Sequence, residues 1–364
     1  MMTLSGVLAA GSPGLAAAFQ LPEQTEEEAR AAAANYQRYC ALCHGADRQG
    51  YVNDNAPSLR SRQLLSSGLP MHMAVTTAYG RPGTPMGGYL DEIGGPMTMD
   101  EIGGIMLWLL EQEEVELVEL PRDLVSGDAA LGGKIYAQEC ATCHGANGEG
   151  GIGTALGNAA MLSMTTDPFL RYAIEHGRDG TEMPAFGDVL SEEELDAVTA
   201  FLRSRATGWS VEKPVLRAPP KPHEYILNPD SPAPDFELMG GVWVMAGDLL
   251  TALEGKRRMV LLDTRVLSLW QMAHIEGAVP LPYYYDNDHL DSLAKDLPTD
   301  GTWIVLYCEC PRAAADSVRR RLQELGFENT AVLWEGIGGW ISFGYPVVRG
   351  EIAPMNGPPP PKPR

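Results

Sequence analysis

Long apolar runs are missing from this sequence of 364 residues. Nowhere do ~20 uninterrupted apolar residues occur, the length a helix needs to span a bilayer. Cysteine is scarce too. Of six, four sit in two short clusters, leaving Cys308 and Cys310 too close together for an ordinary structural disulfide. No disulfide framework therefore reports on the redox compartment. Positive charge is the third shortage: 27 Lys and Arg stand against 48 Asp and Glu, a net charge of −21. Residues 1–210 alone carry 28 acidic and 12 basic side chains. Such a surface repels nucleic acid and anionic lipid headgroups and favours basic partners, although acidity that only aids solubility fits equally well. Residues 4–19 are apolar and small, and Ala16-Ala17-Ala18 resembles a cleavage site. A basic n-region is lacking and Gly11-Ser12-Pro13-Gly14 breaks the run. Residues 1–22 read as an export signal, with a retained leader or short anchor as the alternative.

What is present is a pentapeptide that occurs twice, 100 residues apart: Cys40-Ala41-Leu42-Cys43-His44 and Cys140-Ala141-Thr142-Cys143-His144. C-x-x-C-H is the spacing for covalent attachment of a c-type haem, with the thiols as thioethers and the histidine as proximal iron ligand. Each copy is followed about 40 residues later by Gly-Arg-x-Gly-Thr-x-Met, ending at Met86 and Met183. The contexts match as well. Thr25-Glu26-Glu27-Glu28 has the form of a capping box and opens an alanine-rich helix that delivers the first pentapeptide. Irregular chain to about Pro70, a short helix over 71–79 and the methionine loop follow. Thr98 and Glu101 then cap a helix with an apolar stripe at Ile102, Ile105, Met106, Leu109 and Leu110. In the second unit Asp128 starts the first helix, Asp167-Pro168 opens the middle one, and Ser191 with Glu194 caps the last. One small all-α domain has been duplicated.

The pattern resembles tandem class I cytochrome c domains over roughly residues 25–205. The resemblance implies two covalently attached haem c groups, held by Cys40, Cys43, Cys140 and Cys143. It makes His44 and His144 proximal ligands and Met86 and Met183 distal ones. Met183 lies in Met-Pro-Ala-Phe-Gly, close to the family's loop, whereas Met86 lacks the following proline, and Met97 and Met99 compete with it. His72 and His176 read as loop or surface histidines. Pro57-x-Leu59 resembles the segment whose proline carbonyl orients the proximal histidine. The second unit has Thr154-Ala155-Leu156 there, which puts that contact in doubt. Tyr36 and Tyr136, four residues before each first cysteine, read as cleft packing. C-type haem attachment implies export to the periplasm or the outer face of the cytoplasmic membrane.

From Pro214 to Pro234 seven prolines make a semi-rigid linker, or a strap packed across the domains through Tyr225, Ile226 and Leu227. Beyond it short apolar runs at 260–262, 278–281, 303–307 and 331–333 alternate with helical segments near 248–253 and 312–325. That alternation predicts an α/β domain with a mostly parallel sheet. Leu262-Asp263-Thr264-Arg265, His274-Ile275-Glu276-Gly277-Ala278 and Val332-Leu333-Trp334-Glu335-Gly336, continuing to Trp340 and Gly344-Tyr345-Pro346, resemble a single-domain rhodanese, a sulfurtransferase family. The resemblance makes Cys308, after the run 303–307, the persulfide-forming thiol; Arg312 either holds an anionic donor or supports the helix start, and Cys310, particular to this sequence, either resolves the persulfide or shares a sulfur bridge with Cys308. The loop departs from the family: it is about one residue short, Pro311 removes an N–H, and Glu309 puts negative charge where an anion should sit.

The expected organisation is thus multidomain: two all-α cytochrome c domains at 23–120 and 121–208, a proline-rich linker at 209–239, a rhodanese-like domain at 240–350 and a proline-rich tail at 351–364. The function implied is electron transfer by a dihaem cytochrome whose C-terminal domain handles sulfane sulfur. The alternative is a plain electron carrier between respiratory or photosynthetic complexes, with the rhodanese fold as a non-catalytic docking module. Partners expected are redox proteins with basic docking surfaces and a sulfane-sulfur donor, with membrane association through a partner complex.

Overall fold

A computed structural model describes residues 21–68, 70–121, 123–284, 287–309 and 313–352. The signal-like segment, most of the proline-rich tail, and Cys310, Pro311 and Arg312 lie outside the described residues.

The first unit opens with α1 (Glu26–Tyr39), and Thr25 and Glu28 close a capping box at its start. The pentapeptide forms the one-turn α2 (Ala41–His44), followed by α3 (Arg62–Ser67), α4 (Pro70–Tyr79) and α5 (Met99–Gln112). Helix α3 departs from the irregular chain expected there. Ser61 Oγ accepts from Leu64 N, a cap with no carboxylate three residues on to signal it. The stripe on α5 buries Ile102, Ile105, Met106 and Leu109 against α1, where Tyr36 meets the Trp108 ring at 5.3 Å.

The second unit repeats this course with α6 (Ala129–Ile135), α7 (Ala141–His144), α8 (Ala159–Met164), α9 (Asp167–His176) and α10 (Glu192–Ser204). One difference is a π-turn at Tyr136–Cys140, between α6 and α7. Gly132 lets α6 close on α10, since a Cβ there would run into the Ala197 backbone.

The third unit is a sheet with helices on both faces. Its strands are β1 (Ile226–Leu227), β2 (Trp243–Val244), β3 (Met259–Asp263), β5 (Val279–Pro280), β6 (Trp303–Tyr307) and β7 (Thr330–Leu333), in the order β1-β3-β6-β7-β2 with β5 beside β3. All neighbours are parallel except β1, which runs against β3. A small pair, β4 (Ala273–His274) and β8 (Val348–Arg349), lies apart from it. Burial on both faces explains the continuous apolar runs. Val260, Leu262, Ile304, Leu306 and Val332 pack with α13 (Asp288–Ala294) and α14 (Ala314–Glu324). The intervening Leu261, Val305, Ala331 and Leu333 pack with α11 (Ala246–Glu254) and α15 (Gly336–Ser342). One further helix, α12 (Leu267–Met272), follows β3.

The proline-rich segment is packed rather than free. Val215 N donates to Glu351 O at 2.8 Å, the Arg217 backbone and side chain bond Gln271, and Tyr225 is buried beside β1. The strap alternative describes this geometry, and the strand within it is an edge strand, where proline neighbours are tolerated.

Trp340 is fully buried, with its indole N–H on Pro346 O at 2.9 Å. Trp340→Ala is expected to cost about 3–5 kcal/mol in the denaturant transition of this domain.

Candidate haem sites and the cysteine loop

Each pentapeptide histidine is buried at the end of its one-turn helix. His44 Nδ1 lies 2.8 Å from Pro57 O, and His144 Nδ1 lies 2.8 Å from Thr154 O. A carbonyl only accepts, so Nδ1 carries the proton in both rings and Nε2 is left with its lone pair. The doubt over the second unit is thereby corrected: the acceptor is a backbone atom, which threonine supplies as well as proline. Burial lowers both histidine pKa values, outweighing the carbonyl contact, and keeps the rings neutral as iron ligands require.

Tyr36 and Tyr136 do more than pack. Their hydroxyls donate to Gly45 O at 2.7 Å and Gly145 O at 2.9 Å, the carbonyls directly after each histidine. They tie helix and histidine loop together in both units, which the matching position of the tyrosines could have signalled. Gly45 and Gly145 stand at φ 83° and 84°, a conformation that favours glycine.

The two methionine loops share one hydrogen-bonding scheme. In the first, Arg81 N donates to Met86 O at 2.8 Å, Thr84 Oγ1 to Arg81 O at 2.7 Å, and Met86 N to Thr84 Oγ1 at 3.3 Å. The second repeats it through Arg178, Thr181 and Met183 at 3.1, 2.7 and 3.1 Å. Of the competing side chains, Met97 is buried in the core and Met99 is exposed in the first turn of α5. His176 packs on Tyr172 at 4.2 Å.

Covalently attached haem fits these residues on independent grounds. Burial pushes the Cys40 thiol up to about 12 and Cys140 to about 11, so both free thiols are uncharged in this fold. Among the described residues no group of three or more His, Cys, Asp and Glu converges as a metal site. Two guanidinium groups, Arg81 and Arg178, lie partly buried between the units, Arg178 bonded to Gly177 O and set over the Phe169 ring. Arg81 Nε and both ring nitrogens of His72 have no partner. Neither Arg81 nor Arg178 forms an ion pair among the described residues. Burial lowers Arg178 to about 10, while burial and the two guanidinium groups push His72 to about 4. Partly buried guanidinium groups without an ion pair suit an anionic partner, and the carboxylates a haem carries would supply one.

In the third unit Cys308 directly follows β6, at the carboxyl end of the parallel strands where open α/β sheets bind ligands. Its carbonyl accepts from Ile337 N at 3.0 Å, and its side chain is buried. Arg265 is clamped on Asp263, with Nε at 3.0 Å from Oδ1 and a terminal nitrogen at 2.7 Å from Oδ2, and it reaches Glu309 at 3.1 Å. Glu309 is held above the usual carboxylate range, chiefly by burial and against the pull of Arg265. Cys308 is thus brought together with Glu309 and Arg265. The sequence motif containing Arg265 was visible, but its reach to Glu309 was not.

These features define c-type cytochrome units and a rhodanese fold, and comparison with known proteins gives the same classes. The family model described as cytochrome c oxidase, cbb3-type, subunit III matches residues 27–109 and again 127–202, and the rhodanese-like domain model matches 245–343. The cbb3-type cytochrome c oxidase subunit CcoP of Rhodobacter capsulatus is 29% identical over 215 residues, 51% of this chain and 65% of that protein. Cytochrome c6 of Thermosynechococcus vestitus is 28% identical over 102 residues, 26% of this chain and 86% of that one. A solved reducing HAO-like protein complex of Kuenenia stuttgartiensis covers 52% of this chain and 100% of its own at 20% identity, with a TM-score of 0.33. The chain spans less than two thirds of the length of the oxidase subunits CcoP and FixP, 65% and 57%. The chain is a tandem c-type cytochrome followed by a rhodanese-like domain.

Pro57→Ala keeps the carbonyl and is expected to leave the absorption spectrum of the haem-loaded chain unchanged. Gly153→Val behaves oppositely, because a Cβ there stands 2.7 Å from the His144 ring, and it is expected to perturb the haem spectrum.

Proposed function

We propose that this chain is a dihaem electron carrier that also takes up sulfane sulfur on Cys308. The observation that carries the reading is the doubled geometry: a neutral imidazole steered by a backbone carbonyl, followed by the same hydrogen-bonded methionine loop. In this reading Cys40, Cys43, Cys140 and Cys143 attach the two haems. His44 with Met86, and His144 with Met183, are the axial pairs. An imidazole and a soft thioether together would leave a haem iron no open position, which favours electron transfer over ligand activation. Haem attachment argues for a place in the periplasm or on the outer face of the cytoplasmic membrane. No helix among the described residues is long and apolar enough to cross it.

The two units differ in surroundings, and two haems of distinct potential follow from that. A redox titration of the loaded chain is expected to resolve two waves. A single Nernst wave counts against the pairings proposed.

On the rhodanese side the Cys308 thiolate attacks the outer sulfur of thiosulfate. The S–S bond breaks with its electron pair going to sulfite, and Cys308 is left as a persulfide. Cyanide then removes the sulfur as thiocyanate and returns the thiolate. Thiocyanate formation in the wild type and its loss in Cys308→Ser are expected. Glu309 above its raised pKa is negative and repels the anionic donor, so Glu309→Gln should lower the thiosulfate KM about tenfold. The burial of Cys308 favours the second reading, a non-catalytic docking domain. An absence of thiocyanate in both wild type and Glu309→Gln would establish that reading instead.

A further inference from the structure

The two cytochrome units are alike in fold but not in what lies against the face that bears the attachment cysteines and the methionine loop. In the first unit that face is covered by the rhodanese-like domain. Leu42, inside the pentapeptide, packs on the apolar cluster that contains Cys308. Tyr39 meets Tyr284 edge-on at 4.9 Å, and the Arg38 guanidinium lies over both rings at 5.3 and 5.5 Å. Directly after Met86, Gly87 and Gly88 are buried. A Cβ on Gly87 would stand 2.5 Å from Val266 Cγ1 and 2.8 Å from Leu269 Cγ, so only glycine allows this approach. The buried Ser268 hydroxyl donates to Gly88 O, and Lys213 of the strap pairs with Glu92.

In the second unit the matching positions are open. Thr142, which corresponds to Leu42, is exposed. Pro184 and Ala185 take the places of Gly87 and Gly88 and are exposed as well. Val189, after the methionine loop, is 66% exposed, and Ile152 is 58% exposed against 48% for its first-unit counterpart Val52. Exposed Glu149, Glu182 and Asp188 accompany them.

We propose that the rhodanese-like domain is the resident docking partner of the first cytochrome unit, and that outside redox proteins are met only by the second unit. The occupant fitted to the open face is an electron-transfer protein with an apolar contact centre and a basic rim. Three features support that commitment. The equivalent face of the first unit already receives a protein domain, the open face keeps an apolar centre, and its rim is acidic. The proposal rests on the electron-carrier reading above and is independent of sulfur chemistry.

The test uses the haem-loaded full chain. Hydrogen exchange on the wild type is expected to protect the Gly87 and Gly88 amides, which lie beneath Val266 and Leu269, while the matching Ala185 amide exchanges freely. The double variant Ile152→Lys, Val189→Lys is expected to slow electron exchange with a basic mitochondrial cytochrome c about tenfold at low ionic strength, with both midpoint potentials unchanged. Exchange at Gly87 and Gly88 as fast as at Ala185 overturns the proposal, and so does a rate the lysines leave unmoved. Cys308→Ser should leave both results in place. Loss of thiocyanate formation alone therefore bears on the sulfur reading and not on this interface.

Discussion

A single hydrogen bond from each pentapeptide histidine to a backbone carbonyl sets most of what the cytochrome units must be. The carbonyl lies 13 residues downstream in the first unit and 10 in the second, so the intervening loop must turn back over the ring. That return needs the left-handed glycine after each histidine and a fixed helix to return against. The tyrosine hydroxyls supply the second requirement by holding the loop on the helix that delivers it. The imidazole is then oriented, and with its pKa lowered by burial its Nε2 lone pair is free for the iron an axial ligand must bind.

Helix starts were legible because they rest on local chemistry. The oxygen caps at Thr25, Thr98 and Ser191 each find their carboxylate three residues on, and all three capping boxes form. Strands β3, β5, β6 and β7 were legible because a sheet buried on both faces leaves an unbroken apolar run, whereas the two-residue strands β1, β2, β4 and β8 carry no such run. What the residues concealed was of another kind. A carbonyl acceptor has no side-chain signature, so Thr154 read as a loss where the backbone had kept the contact. Ser61 caps a helix without the carboxylate that would have announced it, and α3 was missed. The proline-rich segment offered two readings that differ only in tertiary contacts, such as those between Arg217 and Gln271, which no local pattern encodes.

The cysteine loop of the third unit shows how a fold and a chemistry separate. The sheet that presents Cys308 is regular, and its register from β3 through β6 to β7 is continuous. The charge around the thiol is arranged otherwise. Arg265, a cation an anionic donor would seek, already has Asp263 and Glu309 as partners. An incoming anion must compete with Glu309 for that guanidinium, and burial, by disfavouring the charged carboxylate, weakens the competitor. Fold resemblance therefore speaks for the position of the sulfur site, while its activity depends on this local balance of charge.

Duplication gives two copies of one surface, and the residues that later diverge record what each copy faces. Leu42 against Thr142, and Gly87-Gly88 against Pro184-Ala185, diverge at positions next to the attachment cysteines and the methionines. The balance of forces differs accordingly. Residues 1–210 carry 28 acidic and 12 basic side chains, whereas residues 241–364 are nearly balanced, so little charge attraction is available between the first unit and the rhodanese-like domain. Their contact is made instead from tyrosine rings, a leucine and a close glycine approach, the short-range complementarity of a permanent interface. The open face of the second unit keeps an acidic rim about its apolar centre, which suits an encounter steered from a distance and released again. Permanent contact on one copy and charge-steered contact on the other are what a relay requires of its inner and outer stations.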